Sequence, residues 1–171
     1  MPDIKVNRDF DKFSDKEQIR ILRYMYDFIN CKYFNTQLPY DTDIRIHIMS
    51  SNTAARYKKP DIYDPAASQH RIEFNELIIC KKPFSHHDVW VSFLEDTISH
   101  EMVHLFNSIH GIHDVNTVFK DGKFTVLGYH NKYFKKTAIE HGQTCERLDS
   151  RNGFSDTHLI IHFPLESWMT K

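Results

Sequence analysis

Residues 86–111, HHDVWVSFLEDTISHEMVHLFNSIHG, repeat apolar side chains at Trp90, Leu94, Ile98, Leu105 and Ile109 until Gly111 interrupts the pattern. The spacing predicts one long amphipathic helix, capped by Ser85 with Asp88 and stopped at Gly111. No other segment of the 171-residue chain constrains the fold as strongly. A helix of this length must bury its apolar stripe against neighbouring layers.

Within that helix, HEMVH sets His100 and His104 one turn apart on a single face, where both imidazoles can reach one cation. Glu101 is rotated away from the histidine stripe and is placed to act on a water at the metal, as a general base. With 12 histidines in the chain, chance produces about 0.04 such matches in a sequence of this composition. The motif is therefore read as a metal site. Neutral imidazole and an open coordination position suit Zn²⁺, which lowers the pKa of a bound water toward about 7.

Catalytic zinc takes a third protein ligand, and His110, His113, His130 and Glu140 are the downstream candidates. Six residues past His104, His110 points about 120° away on a continuous helix. It could bind only if the helix broke at Asn107. Glu140 sits late in a second helical stretch, from about His130 to Gly142, without an acidic motif around it. His130 shares the stripe of Phe134 and Ala138 in that stretch, so burying the stripe also aims His130 inward.

The remaining segments complete an α+β pattern. Ser14 and Glu17 form a capping box before a helix carrying Leu22, Met25, Tyr26, Ile29 and Tyr33 and ending near Asn35. DIRIHIM (residues 43–49) and HRIEFNELII (residues 70–79) alternate as strands, with a loop between them that has room for an irregular strand. Asp121-Gly122, flanked by β-prone runs, predicts a hairpin. Near the C-terminus, THLIIHFPLESW predicts a strand ended by Pro164.

Composition narrows the function. A formal charge of −1 gives no general attraction to phosphate. The basic groups at Arg56 to Lys59, Lys81-Lys82 and Lys132 with Lys135-Lys136 allow only local contact with DNA. Cys31, Cys80 and Cys145 are far apart and lack a C-x-x-C pair, so buried reduced thiols are expected. No run is apolar enough to span a membrane, and MPDIKVNRDFDKF lacks the features of a secretory signal, which places the protein in the cytoplasm. Asp96, one turn before His100, is a candidate to orient that ring, with a solvated helix acid as the plainer reading. Tyr129 and Tyr133 are candidate oxyanion donors, with core packing the plainer reading. The pairs His86-His87 and His158 with His162 read as surface or edge histidines.

Three stretches in order, YFNTQLP (residues 33–39), SHEMVHLF (residues 99–106) and GYHNKYFKKTAIEHG (residues 128–142), resemble the SprT-like family of zinc metalloproteases, to which the Spartan proteases of DNA-protein crosslink repair belong. The resemblance spans roughly residues 18–145. It implies a zincin-like domain with His100, His104 and His130 as zinc ligands and Glu101 as the catalytic glutamate. It also implies hydrolysis of peptide bonds in protein substrates, including proteins associated with DNA. Many family members append a cysteine-rich zinc ribbon, which does not follow here, and the Asp121-Gly122 hairpin is a local addition. The expectation is a single α+β zincin-like domain over residues 1–171, with a small sheet packed on the first helix and the motif helix. The rival readings are a zincin-like scaffold that binds zinc without turnover and a DNA-associated adaptor.

Overall fold

A computed structural model describes residues 8–147 and 153–160. The fold is mixed α+β. Helix α1 (Asp15–Tyr33) begins at the expected capping box: the Ser14 amide donates to the Glu17 carboxylate at 2.9 Å, and the Glu17 amide donates back to Ser14 Oγ at 3.3 Å. Its stripe of Ile21, Leu22, Met25, Tyr26 and Ile29 is fully buried. After the helix, Asn35 and Thr36 take positive φ and turn the chain back. Asn30 fixes that turn by donating to the Leu38 carbonyl at 2.9 Å and accepting from the Leu38 amide at 3.0 Å. Both Leu38 groups would lose their partner in Asn30→Ala, so thermal denaturation of that variant is expected to show a loss of about 2–4 kcal/mol.

Strands β1 (Asp43–His47), β2 (Ala55–Lys58) and β3 (Arg71–Asn75) form a sheet in the order β1-β3-β2. β1 runs parallel to β3 and β2 runs antiparallel to it. β2 is the irregular strand for which the loop had room. β3 stops earlier than its apolar run implies, because the Asn75 side chain accepts from the Leu77 amide and starts a short helix, α2 (Glu76–Ile79).

Helix α3 (Trp90–Ile109) carries the motif and buries Trp90, Leu94, Ile98, Met102 and Leu105 in one core with α1 and the sheet. Its predicted cap is corrected: Val89 occupies the N-cap without a side-chain bond, and Ser85 and Asp88 lie in the preceding turns. Those turns serve the N-terminal segment instead. The Phe10 amide donates to the Ser85 carbonyl at 2.7 Å, the His87 amide to Asp9 at 2.9 Å, and Trp90 Nε1 to the Arg8 carbonyl at 3.0 Å.

Beyond α3, β4 (Val115–Lys120) and β5 (Lys123–His130) form the expected hairpin, with Asp121 and Gly122 both at positive φ. Helix α4 (Lys132–Glu140) follows. Strands β6 (Gln143–Arg147), which sequence reading did not foresee, and β7 (Phe154–Leu159) pair antiparallel. Gly142 joins α4 to β6 at φ +79, and a Cβ there would lie 2.4 Å from the Tyr33 ring, so the close contact with the end of α1 requires glycine. His162 and Pro164 lie outside the described residues. Of the three thiols only Cys145 is buried; Cys80 is half-buried and Cys31 is exposed, correcting the expectation of three buried thiols. Among the described residues no helix is long and apolar enough to cross a membrane.

Candidate metal centre

α3 supplies His100 and His104 from one face, as the i,i+4 spacing requires. His130 reaches them from the last position of β5, not from the start of the second helix as the stripe implied. Asn131 makes the difference: its side chain accepts from the Tyr133 and Phe134 amides and begins α4 one residue later. The corner is tied to the loop after α3, with the Asn131 amide 2.9 Å from the Asp114 carbonyl and Asn131 Nδ2 2.8 Å from the His113 carbonyl. On the other side Gly153 bridges His130, and a Cβ at Gly153 would stand 2.4 Å from the His130 carbonyl.

The three Nε2 atoms converge. His130 Nε2 lies 3.2 Å from His100 Nε2 and 2.9 Å from His104 Nε2. Nitrogens bound at about 2.0–2.1 Å in a tetrahedral array stand about 3.3 Å apart, so the spacing fits a cation between them. Protonation leads to the same conclusion. The carboxylate of Asp114 accepts from His104 Nδ1 at 2.7 Å, so a neutral His104 offers a lone pair at Nε2. His100 Nδ1 is 2.9 Å from Thr157 Oγ1, and a neutral His100 donating there also presents a lone pair to the cluster. His130 Nε2 can carry one hydrogen at most, which cannot satisfy both neighbours. His130 Nδ1 is buried without a hydrogen-bond partner among the described residues, where the ring's polar contacts lie at the convergence. The three histidines could hold a metal ion.

Electrostatics divides the three rings. Burial, reinforced by His104 and His130, holds His100 well below the usual histidine range. Burial and His104 bring His130 down to about 4. Burial also opposes charge on His104, but the Asp114 hydrogen bond, the Glu101 charge and the Asp114 charge overcome it and raise this ring above its ordinary value. Asp114 therefore favours added positive charge at His104, whether it arrives as a proton or as a metal. Burial raises Glu101 despite the opposing His104 charge and the Tyr57 backbone amide directed at its carboxylate.

A second set of contacts holds the cluster in place. The Phe134 ring, fully buried, lies 4.7 Å from His100, 4.8 Å from His104 and 4.2 Å from His130 between ring centroids. Asn107 Nδ2 donates to Asp114 at 3.1 Å, and Thr137 of α4 donates to Asn107 Oδ1 at 2.6 Å. Carboxylates that orient ligating histidines contribute to affinity. Asp114→Asn is accordingly expected to weaken zinc binding about 10- to 100-fold in a competition titration with a chromophoric chelator, with one zinc per chain still bound at saturation.

Sequence reasoning missed Asp114, Thr157 and the role of Phe134. Asp114 and Thr157 carry no local signal, because one follows His104 by ten residues in a loop and the other comes from a distant strand. Asp96, the sequence candidate for orienting His100, instead accepts from His158 Nδ1 at 2.7 Å and the Leu159 amide at 2.9 Å, fastening β7 to α3. His110 turns back, with its Nδ1 2.8 Å from the Phe106 carbonyl, and His113 is exposed; neither joins the cluster. Glu140 lies 3.8 Å from Lys136. Tyr133 is 49% exposed, so it belongs neither to the core nor to the cluster; the Tyr129 side chain lies outside the described side chains.

Asp9, His86 and His87 also bring ligand atoms together. Both histidine side chains are 46% exposed, and Lys82 already bonds Asp9 with a cation. The local basic groups are partly neutralised: Arg56 pairs with Glu73 at 2.6 Å, Lys82 with Asp9 and Lys136 with Glu140. The chain matches no protein-family model, no curated protein and no solved structure.

Proposed function

We infer that the chain is a zincin-like metallopeptidase of the SprT-like type, cleaving peptide bonds in protein substrates. The observation that carries this reading is the convergence of three imidazole Nε2 atoms, drawn from α3 and the end of β5, with Glu101 following His100 on α3 and sharing a cavity wall with it. Three neutral nitrogens suit Zn²⁺ among the divalent metals. When bound, zinc supplies Lewis acidity that polarises a carbonyl and acidifies a water.

The chain's own residues do the rest. Glu101 is buried, at 7% exposure, and lines a cavity together with His100. Its raised affinity for a proton suits a group that takes one from water at its carboxylate oxygen and delivers it to the leaving amine nitrogen. Asp114 holds His104 in the tautomer that presents Nε2, and Thr157 is placed to do the same for His100.

β2 offers a place for an extended substrate. The Asn75 amide donates to the Ala54 carbonyl at 2.8 Å, which makes residues 54 and 75 a hydrogen-bonded pair. Ala55 and Tyr57 then occupy non-hydrogen-bonded positions opposite Phe74 and Ile72, with their backbone groups pointing away from β3. The Tyr57 backbone lowers the proton affinity of Glu101, which puts β2 next to the proposed base, so a peptide lying along this strand would pass it. The resemblance extends the substrate class to proteins associated with DNA.

The test combines zinc analysis of the purified protein with cleavage of a protein panel, with and without DNA, by wild type and Glu101→Gln. Zinc in both proteins and cleavage by wild type alone supports the reading. Zinc in both with equal cleavage overturns it, and zinc with cleavage by neither leaves a metal-binding scaffold.

A further inference from the structure

The cavity bordered by His100 and Glu101 measures about 270 Å³, room for one large side chain and below the roughly 300–1,000 Å³ of a typical small-molecule site. Its other walls include Ala54, Ala55, Phe93 and Thr97. Ala55 belongs to β2, the edge strand of its sheet among the described residues, while Phe93 and Thr97 lie on the α3 turns before the His100–His104 pair.

Several polar groups around this space are already engaged by the protein, whereas Thr53, also on its wall, is exposed. Thr97 Oγ1 donates to the Phe93 carbonyl at 2.7 Å. Thr157 Oγ1 is held against His100 Nδ1 at 2.9 Å. Asp96 has both oxygens occupied, by His158 Nδ1 and the Leu159 amide. A cationic guest would therefore find Asp96 already compensated, and an anionic guest would face the carboxylates of Glu101 and Asp96. Besides Thr53, His158 and the His100–Glu101 end, a guest meets the Phe93 ring, alanine methyls and threonine methyl groups, which make most of the wall apolar.

We propose that this cavity is a specificity pocket for a large neutral apolar side chain, aliphatic or aromatic, on the substrate residue adjoining the scissile bond. The inference rests on the metallopeptidase reading, since His100 and Glu101 are both parts of that machinery and walls of the pocket. A substrate whose carbonyl lies at the histidine cluster while its backbone follows the β2 edge projects a flanking side chain between Ala55 and the Phe93–Thr97 turn. Burial of that side chain selects substrates by apolar contact, where each methylene changes discrimination about 10- to 200-fold.

The experiment titrates the zinc-loaded 171-residue chain calorimetrically with hydroxamates that share a metal-binding head and differ in the adjoining group: methyl, isobutyl, benzyl, carboxyethyl or aminobutyl. Isobutyl and benzyl are expected to bind at least about tenfold more tightly than methyl, and the charged groups no better than methyl. Thr97→Phe and the milder Thr97→Leu fill the pocket and are expected to reduce the benzyl-to-methyl ratio to within about twofold, at unchanged zinc content. Equal affinity for methyl and benzyl in the wild type, a preference for a charged group, or an undiminished ratio in both Thr97 variants would overturn the proposal. Failure of the chain to take up zinc, or of every hydroxamate to bind the loaded protein, brings down the metallopeptidase reading and this inference with it.

Discussion

Glu101→Gln is expected to retain one zinc per chain and to lose about 10²- to 10⁴-fold in kcat, the range that a positioned general base contributes. The substitution is nearly isosteric, and Glu101 makes none of the short contacts that join the three imidazoles. Its carboxylate lies in a buried setting that raises its hold on a proton, with the Tyr57 amide and the His104 charge acting in the opposite sense. An amide keeps the volume and the hydrogen-bonding capacity toward Tyr57 but cannot accept a proton from water or return one to an amine. The loss should therefore fall on kcat, with KM little changed. A variant that lost zinc as well would assign Glu101 a structural part, and one as active as wild type would end the general-base assignment.

His130→Ala is expected to remove stable zinc binding. Two histidines one turn apart on α3 form half of a site, and the third nitrogen closes it from β5 at 2.9 and 3.2 Å. Zinc that binds the native chain alone stabilises it by about 2.7 kcal/mol at a free concentration of 100 Kd. For a chain of this length that raises the melting temperature by ~5–10 °C. In His130→Ala the zinc-dependent shift should vanish, while circular dichroism at low temperature stays native, because Phe134 still packs on the rings of His100 and His104. Retention of one tightly held zinc with the wild-type shift would remove His130 from the site.

Legibility followed the range of the interactions involved. The stripe of Trp90, Leu94, Ile98 and Leu105 and the spacing of His100 and His104 are set within one helix, so periodicity alone locates both. The Ser14 and Glu17 box and the Asp121-Gly122 turn are local too, and both appear where expected. Ser85 had the right chemistry for a cap, but its carbonyl receives the Phe10 amide from the other end of the chain, and no helix-start rule registers such a partner. Asn75 and Asn131 each end a strand by capping the next helix. The second of these places His130 on a strand rather than a helix without altering its approach to His100 and His104. Asp114 and Thr157 could not be read at all, since each acts through a contact formed only when a loop or a remote strand closes on α3.

The hairpin that separates the second and third histidines has a consequence for how this molecule tolerates change. His130 stands at its base, paired across to Val115 and anchored through Asn131 to His113 and Asp114, whereas Asp121 and Gly122 turn at the far tip. Residues added at the tip lengthen the arm and leave its foot where it is. The distance along the chain between the donors is thus free to drift while their distance in space is not, and this tip is the natural place to graft a tag, a fluorophore or a binding loop onto the protein.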